Sequence, residues 1–433
     1  MSKQISGFSK FTKEEKINWL ANQFFMDKNQ GITILQSYWN SNKKLQKLHD
    51  DFIENTISNF YFPYAVAPNF VINNRDYTIP MAIEESSVVA AAALVAKFWS
   101  TRGGFKTKVI STTKIGQVHF MFSSNENKLL DYFNSIKSEL FEVTNDITKN
   151  MRKRGGGILD IELRNKTVDL KDYYQLHVTF ETKDSMGANF INTCLEAIAN
   201  RFKDTKKLDI QIVMSILSNY VPDCLVRAEV SCKVEDLYKD NATYYAEKFI
   251  NALDIANAEP HRAVTHNKGI MNGIDAVVIA TGNDFRAVEA GVHAYAARNG
   301  KYRSLSGAKI DPDPSGGVFS FWLEIPLSLG TVGGLTKLHP LAKLSLEILQ
   351  NPSAKELMEI VAVVGLAQNF AALRALTTTG IQKGHMKMHL GNIIKQLTTN
   401  KKEVAYLLDY FKNKPVSHSA VVSEFDRINS KYS

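Results

Sequence analysis

The side chains best suited to chemistry in this sequence are a lysine and two acidic residues that stand far apart. Lys268 lies in the polar run His-Asn-Lys-Gly at residues 266–269, and a fixed lysine cation can stabilise an oxyanion that develops on a reacting carbonyl group. Asp284 follows the apolar run at residues 275–281. Glu85 precedes an alanine-rich segment, and a glutamate that is buried near a lysine is a candidate proton donor, because burial favours the protonated form of a carboxyl group.

Each of these residues also has an ordinary structural explanation. A lysine at the entrance of a strand is usually solvated, Asp284 is suited to cap a helix N-terminus, and Glu85 is suited to the start of a helix. The apolar run at residues 275–281 predicts a buried strand. That strand would separate Lys268 from Asp284 unless the loop that carries the lysine folds back.

A histidine near the C-terminal end is a further candidate for proton transfer. His385 follows Gly384 in a glycine-containing stretch that predicts a hinge before a lysine-rich helical tail. A single histidine on a movable element fits a proton donor. His385 and His389 are also spaced like a pair of metal ligands, but no third ligand candidate lies nearby in the sequence. We therefore predict no metal site.

The segment Asp-Ser-Met-Gly-Ala-Asn at residues 184–189 joins a predicted strand to a predicted helix. Small residues and glycine at a helix start let a phosphate group approach the free backbone N–H groups. A plain helix start explains the same pattern. The sequence contains neither the G-x-G-x-x-G dinucleotide fingerprint nor a Walker motif.

Composition limits the classes of partner. The 433 residues carry a formal net charge of +8, which favours an anionic partner, either a nucleic acid or a phosphorylated small molecule. The basic residues are scattered, and no long basic run or aromatic-interleaved RNA motif occurs. We therefore predict that the partner is not a nucleic acid.

Cysteine usage and hydropathy predict the compartment. The three cysteines, Cys194, Cys224 and Cys232, have no metal-type spacing and cannot form a disulfide framework. The longest apolar run, at residues 88–96, is far shorter than the roughly 20 residues of a spanning helix. The polar N-terminus has no apolar signal region. These features predict a cytoplasmic protein without a membrane partner.

The predicted elements indicate an α+β fold of three parts, since 433 residues exceed what one core accommodates. We predict a large mixed α/β domain at residues 1–109 and 220–377, an inserted small domain at residues 110–219, and a helical C-terminal flap at residues 378–433. The small domain has the ferredoxin-like order β-α-β-β-α-β. Its predicted elements are residues 117–122, 127–150, 158–163, 175–182, 186–202 and 208–217.

Taken together, a series of short motifs resembles the class II, soluble hydroxymethylglutaryl-CoA reductases. The motifs occur in the family's order from about residue 54 to residue 390, so the resemblance covers nearly the whole chain. The block at residues 266–299 is the most specific. The motifs occupy residues 54–58, 63–67, 84–87, 184–189, 266–273, 280–284, 332–334, 337–342 and 380–385.

The resemblance implies a role for each reactive side chain. Lys268 would polarise the thioester and later the aldehyde oxygen, and Glu85 would supply a proton to that oxygen. Asp284 would be hydrogen-bonded to both of them and tune them, and His385 would protonate the departing CoA thiolate. The positions that would hold the carboxylate and hydroxyl of the substrate are Ser87, Arg262 and Asn272.

The resemblance also implies a dinucleotide site. The family's motif usually reads Asp-Ala-Met-Gly, and Ser185 replaces the alanine here. Thr148 aligns with an acidic residue that would contact the adenosine ribose in members that use NADH. A neutral residue with basic neighbours favours NADPH, although Asp146 would favour NADH after a small shift of register. The implied cofactor positions are Asp184, Met186, Gly187, Asn189, Asn219 and Thr148.

The activity implied is the reduction of 3-hydroxy-3-methylglutaryl-CoA to mevalonate and CoA in two hydride steps, without a metal. A homodimer or an assembly of dimers is implied, with active sites at the subunit interface. Two alternatives remain open: NAD-linked mevalonate oxidation, and a non-catalytic paralogue that binds CoA esters. The second alternative is disfavoured because all four reactive side chains are retained.

Overall fold

The computed structural model describes residues 4–205, 208–313, 316–378, 390–391, 393–412, 414 and 416–432. The chain divides into two compact units, residues 1–63 and residues 64–433. The first unit is helical, and each of its three helices begins at a side chain that caps the N-terminus. Thr12 and Glu15 form the capping box of the first helix. The helices are α1 (Lys13–Phe24), α2 (Lys28–Ser37) and α3 (Lys43–Asp50).

The second unit begins with a two-stranded hairpin and a helix. Strands β1 (Tyr64–Ile72) and β2 (Arg75–Ala82) are antiparallel, and helix α4 (Val88–Ser100) follows them. Asn73 and Asn74 form the turn with φ angles of 47° and 67°. This left-handed conformation is typical of tight hairpin turns and suits asparagine. The hairpin is missing from the predicted elements.

A four-stranded antiparallel sheet and several helices form the main core of the second unit. The strand order is β3-β8-β10-β9. These strands are β3 (Lys106–Val109), β8 (Leu225–Lys233), β9 (Ser306–Asp311) and β10 (Val318–Pro326). The helices that follow β8 are α8 (Val234–Leu237), α9 (Ala242–Ala258), α10 (Pro260–Ala280), α11 (Phe285–Ala296), α12 (Leu335–Leu338), α13 (Pro340–Ile348) and α14 (Ala354–Thr377).

Helix α14 is the central helix of this core. It contacts α10, α4 and β8, and most of its residues are buried. By length and composition α14 is apolar enough to cross a membrane, but 72% of its most apolar stretch is buried inside the protein. Its hydrophobicity is therefore accounted for by packing.

A second antiparallel sheet, with strand order β5-β6-β4-β7, has its own hydrophobic core. Two helices, α5 and α6, occupy the position of the single predicted helix at residues 127–150, because the chain turns at Val143 and Thr144. The elements are β4 (Lys114–Met121), α5 (Glu126–Glu142), α6 (Asn145–Lys153), β5 (Gly157–Asn165), β6 (Tyr173–Glu181), α7 (Ala188–Lys203) and β7 (Gln211–Leu217).

The predicted strand at residues 275–281 is wrong, because helix α10 continues through Ala280. The polar stretch around Lys268 is accordingly part of this helix and not a loop. A short apolar run cannot by itself distinguish a buried strand from a buried helix. One of the glycines that suggested a loop has a packing role, because a Cβ at Gly273 would lie 2.8 Å from the carbonyl oxygen of Val364 on α14, whereas a Cβ at Gly269 would meet no atom within 4 Å.

The C-terminal region contains two further helices, α15 (Lys401–Tyr410) and α16 (His418–Tyr432). Together with Leu390, Ile393 and Ile394 they enclose a small hydrophobic cluster that is separate from the two larger cores. The predicted hinge at residues 380–384 and His385 lie outside the described residues.

Candidate active site

Helix α10 and the turn before α4 bring a lysine, an asparagine and a glutamate together. Lys268 Nζ lies 2.7 Å from Glu85 Oε2, and the Asn272 side-chain amide donates to the same oxygen over 3.3 Å. Lys268 and Asn272 are four residues apart and therefore share one face of α10. The Lys268 and Glu85 side chains remain 60% and 37% exposed. The cluster is therefore accessible to a solute.

The turn that carries Glu85 has an unusual backbone. Ser87 begins α4 with a φ of 80°, and its side chain makes no capping hydrogen bond. A left-handed serine stores strain, and such conformations often occur at functional sites. The Gln368 side chain of α14 donates to the carbonyl oxygen of Val88, which fixes the start of α4 against the core. The Ser87 hydroxyl is thus not used to cap its own helix.

Arg262 lies on the same helix as Lys268, in the first turn. Its backbone N–H donates to Glu259, the residue that caps α10. The Arg262 side chain is half-buried, and this desolvation lowers the pKa of its guanidinium group. Arg262, Lys268 and Asn272 are thus all presented by one helix.

Asp284 lies at the other end of that helix. It caps α11, and its Oδ1 accepts hydrogen bonds from the backbone N–H groups of Arg286 and Ala287, each over 3.1 Å. The stretch of α10 from Lys268 to Ala280 rises about 18 Å. Among the described residues, the structure therefore does not bring Asp284 to Lys268 or Glu85 within one chain.

Asp284 lines an open cleft of about 1130 Å³ instead. One wall of this cleft is the segment at residues 185–190, and the other comes from the glycine-rich segment at residues 330–336. Helix α6 contributes a further edge. The Asp-Ser-Met-Gly motif and Asp284, which are about one hundred residues apart in the sequence, thus face the same space. The motif residues that line the cleft are Ser185, Met186, Gly187 and Asn189.

The motif at residues 184–187 is built so that α7 begins at the cleft. Gly187 has a φ of 90° and no side chain that could cap the helix, and a Cβ at this position would lie 2.6 Å from Thr182 Cγ2. Asp184 Oδ1 accepts from the backbone N–H of Ala354, and the Asp184 carbonyl oxygen accepts from Thr331, each over 2.8 Å. Asp184 therefore anchors the motif.

Lys114 is a residue of this region that the sequence analysis missed. Its side chain is 4% exposed, and its Nζ donates to the Thr182 hydroxyl and, over 2.9 Å, to the Ser185 carbonyl oxygen. Burial lowers the pKa of Lys114. Lys114 lies on the same face of β4 as the buried Val118 and Phe120. The alternation of residues along β4 could therefore have identified Lys114 as a buried lysine.

Asn219 lies next to this lysine rather than in the larger cleft. It lines a small second cavity together with Lys114 and Met186. The Asn219 carbonyl oxygen is 2.6 Å from the position that a Cβ at Gly291 would occupy. Met186 lines both this small cavity and the larger cleft. Asn219 is therefore separated from the larger cleft by the motif that contains Met186.

The predicted position of Thr148 at the ribose is not supported. Thr148 is 3% exposed, and its hydroxyl donates to the carbonyl oxygen of Thr144 over 2.9 Å. A helix exposes one stripe of residues spaced three and four apart, and Thr148 lies outside the stripe that faces the cleft. The cleft is lined by Ile147, Asn150 and Met151 of α6 and by Arg154, the residue that ends this helix.

Comparison with known proteins decides the family. A model of the family described as hydroxymethylglutaryl-coenzyme A reductase matches residues 14–390. The chain belongs to the hydroxymethylglutaryl-CoA reductase family. The resemblance expected from the motifs is confirmed. Members of this family are NAD(P)H-dependent oxidoreductases, and this chain is an oxidoreductase of that kind.

Relatives and solved structures agree over most of the chain. The 3-hydroxy-3-methylglutaryl-coenzyme A reductase of Archaeoglobus fulgidus is 40% identical over 396 residues, 91% of this chain and 87% of that protein. A probable reductase of Borreliella burgdorferi is 35% identical and covers 81% of this chain and 80% of its own length. The reductase of Streptococcus pneumoniae has a TM-score of 0.74 at 36% identity and covers 98% of this chain and 100% of its own.

A second structure of the Streptococcus pneumoniae reductase is described as class II and as bound to NADPH in open conformations. It has a TM-score of 0.72 at 36% identity and covers 93% of this chain and 99% of its own. The mixed α+β fold of this chain is therefore that of hydroxymethylglutaryl-CoA reductases of class II.

Proposed function

We propose that this chain reduces 3-hydroxy-3-methylglutaryl-CoA to mevalonate and CoA with two molecules of NADPH. The contact between Lys268 and Glu85, at 2.7 Å, carries the proposal. It places a fixed cation and a carboxyl group where one substrate oxygen can reach both. Conversion of a thioester to an alcohol requires four electrons, and each bound NADPH supplies one hydride.

The roles of the side chains follow from where charge develops. The first hydride addition turns the thioester carbonyl oxygen into an oxyanion, which Lys268 stabilises and Glu85 protonates. When the carbon–sulfur bond breaks, Glu85 takes back the proton of the hemithioacetal hydroxyl, the carbonyl re-forms as an aldehyde, and the thiolate leaves. We assign its protonation to His385. The second hydride addition places an oxyanion at the same position, and Lys268 and Glu85 act again.

Three residues suit the carboxylate end of the substrate: Asn272 in this cluster, Ser87 in the turn that carries Glu85, and Arg262 in the first turn of α10. We assign the substrate carboxylate to Arg262, since a guanidinium group forms paired hydrogen bonds with a carboxylate. Ser87 and Asn272 are assigned to the carboxylate and hydroxyl oxygens. The Ser87 hydroxyl, which makes no capping hydrogen bond to α4, and the position of Asn272 beside Glu85 support these roles.

We assign the cleft lined by Asp284 to the dinucleotide. Gly187 leaves the first N–H groups of α7 without a side-chain cap, and uncapped N–H groups at a helix start bind phosphate. The unit from β4 to β7 would then be an inserted ferredoxin-like dinucleotide domain at residues 110–219. The remaining proposed parts are the large domain at residues 1–109 and 220–377 and the flap at residues 378–433.

We further propose that two subunits complete each active site. Lys268 lies near the middle of α10, where it contacts Glu85, whereas Asp284 and the cleft lie beyond the C-terminal end of the helix. A hydride cannot pass between groups that lie so far apart. A homodimer solves this if one subunit binds the CoA ester and its partner supplies the dinucleotide and Asp284.

The choice of cofactor is proposed to depend on Arg154. Arg154 lines the cleft, and the neighbouring side chains Lys149, Arg152 and Lys153 are exposed on α6. Basic residues stabilise the 2′-phosphate that distinguishes NADPH from NADH. Asp146, which would favour NADH, is exposed in the first turn of the same helix. We favour NADPH because Arg154, and not Thr148, lines the cleft.

Replacing Arg154 by alanine should raise KM for NADPH about tenfold and change KM for NADH less than twofold, because a charged hydrogen bond to phosphate contributes about 1.5–3 kcal/mol. The test is initial rate against the concentration of each cofactor. Arg164→Ala on β5, outside the cleft and paired with Glu162, is the matched control. Equal effects of Arg154→Ala on both cofactors would contradict the assignment.

The function itself is tested by the initial rate of NADPH and NADH oxidation with 3-hydroxy-3-methylglutaryl-CoA. We expect oxidation of NADPH to be the faster of the two. A preference for NADH would favour the oxidation of mevalonate as the physiological direction. If the folded protein oxidises neither cofactor, that result would favour the alternative function of a non-catalytic paralogue that binds CoA esters. The cytoplasmic location, and the absence of a nucleic-acid or membrane partner and of a metal, stay predictions from the sequence.

A further inference from the structure

A row of titratable side chains connects α10 to α11 beside the Lys268–Glu85 pair. Asp275 on α10 is hydrogen-bonded to Glu289 on α11. Glu289 Oε2 lies 2.6 Å from His293 Nε2, and His293 Nδ1 lies 2.7 Å from the Tyr302 hydroxyl. The row thus runs through four titratable side chains. The mechanism proposed above uses none of them.

One proton is shared within the carboxyl pair. Two carboxylates in contact cannot both be ionised, so one of them keeps a proton. Burial, together with Glu289 and Glu84, raises the pKa of Asp275 to about 8. The hydrogen bond from His293 lowers the pKa of Glu289. The proton therefore belongs to Asp275, whose Oδ1 is buried without a hydrogen-bond partner among the described residues.

Asp275 lies on the same face of α10 as the proposed reactive lysine. Lys268, Asn272 and Asp275 follow the spacing i, i+4 and i+7, which aligns residues along one side of a helix. Asn272 donates to Glu85, and Asp275 is one turn further along. Glu84, the neighbour of Glu85 in the chain, acts electrostatically on Asp275. The protonated carboxyl group is therefore about one helical turn from the Glu85 cluster.

The outer end of the row reaches solvent. The His293 and Glu289 side chains are 35% and 32% exposed, whereas Asp275 Oδ1 is fully enclosed. An imidazole ring has one nitrogen that can accept a proton and one that can donate a proton, so a half-exposed histidine suits the exchange of protons with water. The charged groups that act on Asp275 are Glu289 on α11 and Glu84 in the turn before α4, and His293 and Tyr302 follow Glu289 in the row.

We propose that Asp275 restores the proton of Glu85 after Glu85 has protonated the substrate oxygen. This inference rests on the proposed function. Glu85 becomes a carboxylate when its O–H bond breaks. The Asp275 O–H bond then breaks, and through one intervening water a new O–H bond forms on Glu85. Asp275 regains a proton from solvent by way of His293 and Glu289. Asp275 thus positions a proton for Glu85 and does not touch the substrate.

The variant Asp275→Asn tests this role, because it keeps the size of the side chain and removes the transferable proton. We expect kcat with 3-hydroxy-3-methylglutaryl-CoA and NADPH to fall about tenfold. A general acid or base that acts directly on the substrate contributes about a hundredfold or more, and Asp275, which acts through Glu85, should contribute less. KM should change less than twofold, because Asp275 does not touch the substrate. In the wild type, kcat should fall as pH rises through about 8, where Asp275 loses its proton. This fall should be absent from the profile of the variant.

Two comparisons separate this role from a structural one. Asp254→Asn removes an exposed carboxylate on α9 and should leave kcat and its pH profile unchanged. His293→Gln interrupts the outer end of the row, should also lower kcat, and serves as the second variant if Asp275→Asn does not fold. A Tm close to that of the wild type is expected for His293→Gln.

The outcomes are distinguishable from a failure of the proposed function. If the wild type does not oxidise NADPH with this thioester, the proposed function fails. If the wild type is active and Asp275→Asn keeps either its kcat or the fall near pH 8, only the role of Asp275 is overturned. A uniform decrease of kcat at every pH with the same inflection would likewise overturn it.

Discussion

Replacing Lys268 by alanine is expected to lower kcat about a thousandfold, because the oxyanion loses its cation in both reduction steps. Removal of a single uncharged oxyanion donor already costs about a hundredfold to a thousandfold. The fold should be retained. Lys268 is 60% exposed, and an ion pair at such a site contributes about 1 kcal/mol or less to stability. The measurement is kcat with NADPH, together with Tm.

The matched control is Lys248→Ala, which removes an exposed lysine from the preceding helix α9. Its kcat should equal that of the wild type. If Lys268→Ala stays folded and retains more than about a tenth of the wild-type kcat, electrostatic stabilisation by Lys268 is not the main contribution to the rate. The proposed mechanism would then have to be abandoned.

Mixing two inactive variants should restore activity if the active site is shared between subunits. Lys268→Ala and Asp284→Asn are each expected to be inactive alone. When they are co-expressed in equal amounts and assemble at random, about half of the dimers are mixed, and each mixed dimer has one complete site. The expected activity is therefore about a quarter of the wild-type value. The structural reason for this expectation is that Lys268 and Asp284 lie far apart within one chain.

The control for this experiment pairs Lys268→Ala with Glu85→Gln. The two residues are in contact within one chain, so a mixed dimer of these variants has no complete site and should stay inactive. Recovery of activity with Asp284→Asn but not with Glu85→Gln supports a shared site. If neither mixture recovers activity although mixed dimers are present, Asp284 acts within its own subunit.

Much of the fold could be predicted from local patterns. The helix and strand pattern between residues 114 and 217 is readable because each element has one clear period, and α7 repeats its buried residues at helical spacing. The hairpin of β1 and β2 was missed, because exposed and buried residues do not alternate regularly along β1. Helix α10 was mistaken for a loop and a strand, because its first half is polar and contains a glycine, whereas its last residues, 274–280, are apolar at nearly every position.

The site was less accessible to sequence analysis than the fold. No spacing rule relates Glu85 to Lys268, which are 183 positions apart, and only the family resemblance linked them. Arg154 faces the cleft and Thr148 does not, because the two residues project from different sides of the helical turn at α6. The alignment of Thr148 with an acidic residue of the family does not show which side of the helix faces the cleft. The partnership of Asp275 with Glu289 depends on the packing of α10 against α11, which no local pattern predicts.

The most direct test of the proposed function is the stoichiometry of a completed reaction. NADPH oxidation is followed by absorbance, and free CoA is measured with a thiol reagent in the same sample. A reductase that proceeds through both hydride steps must oxidise two molecules of NADPH for each thiol that it releases. A ratio of one would mean that the reaction stops at the aldehyde, and thiol release without NADPH oxidation would mean that the chain hydrolyses the thioester. Either result would contradict the proposed function.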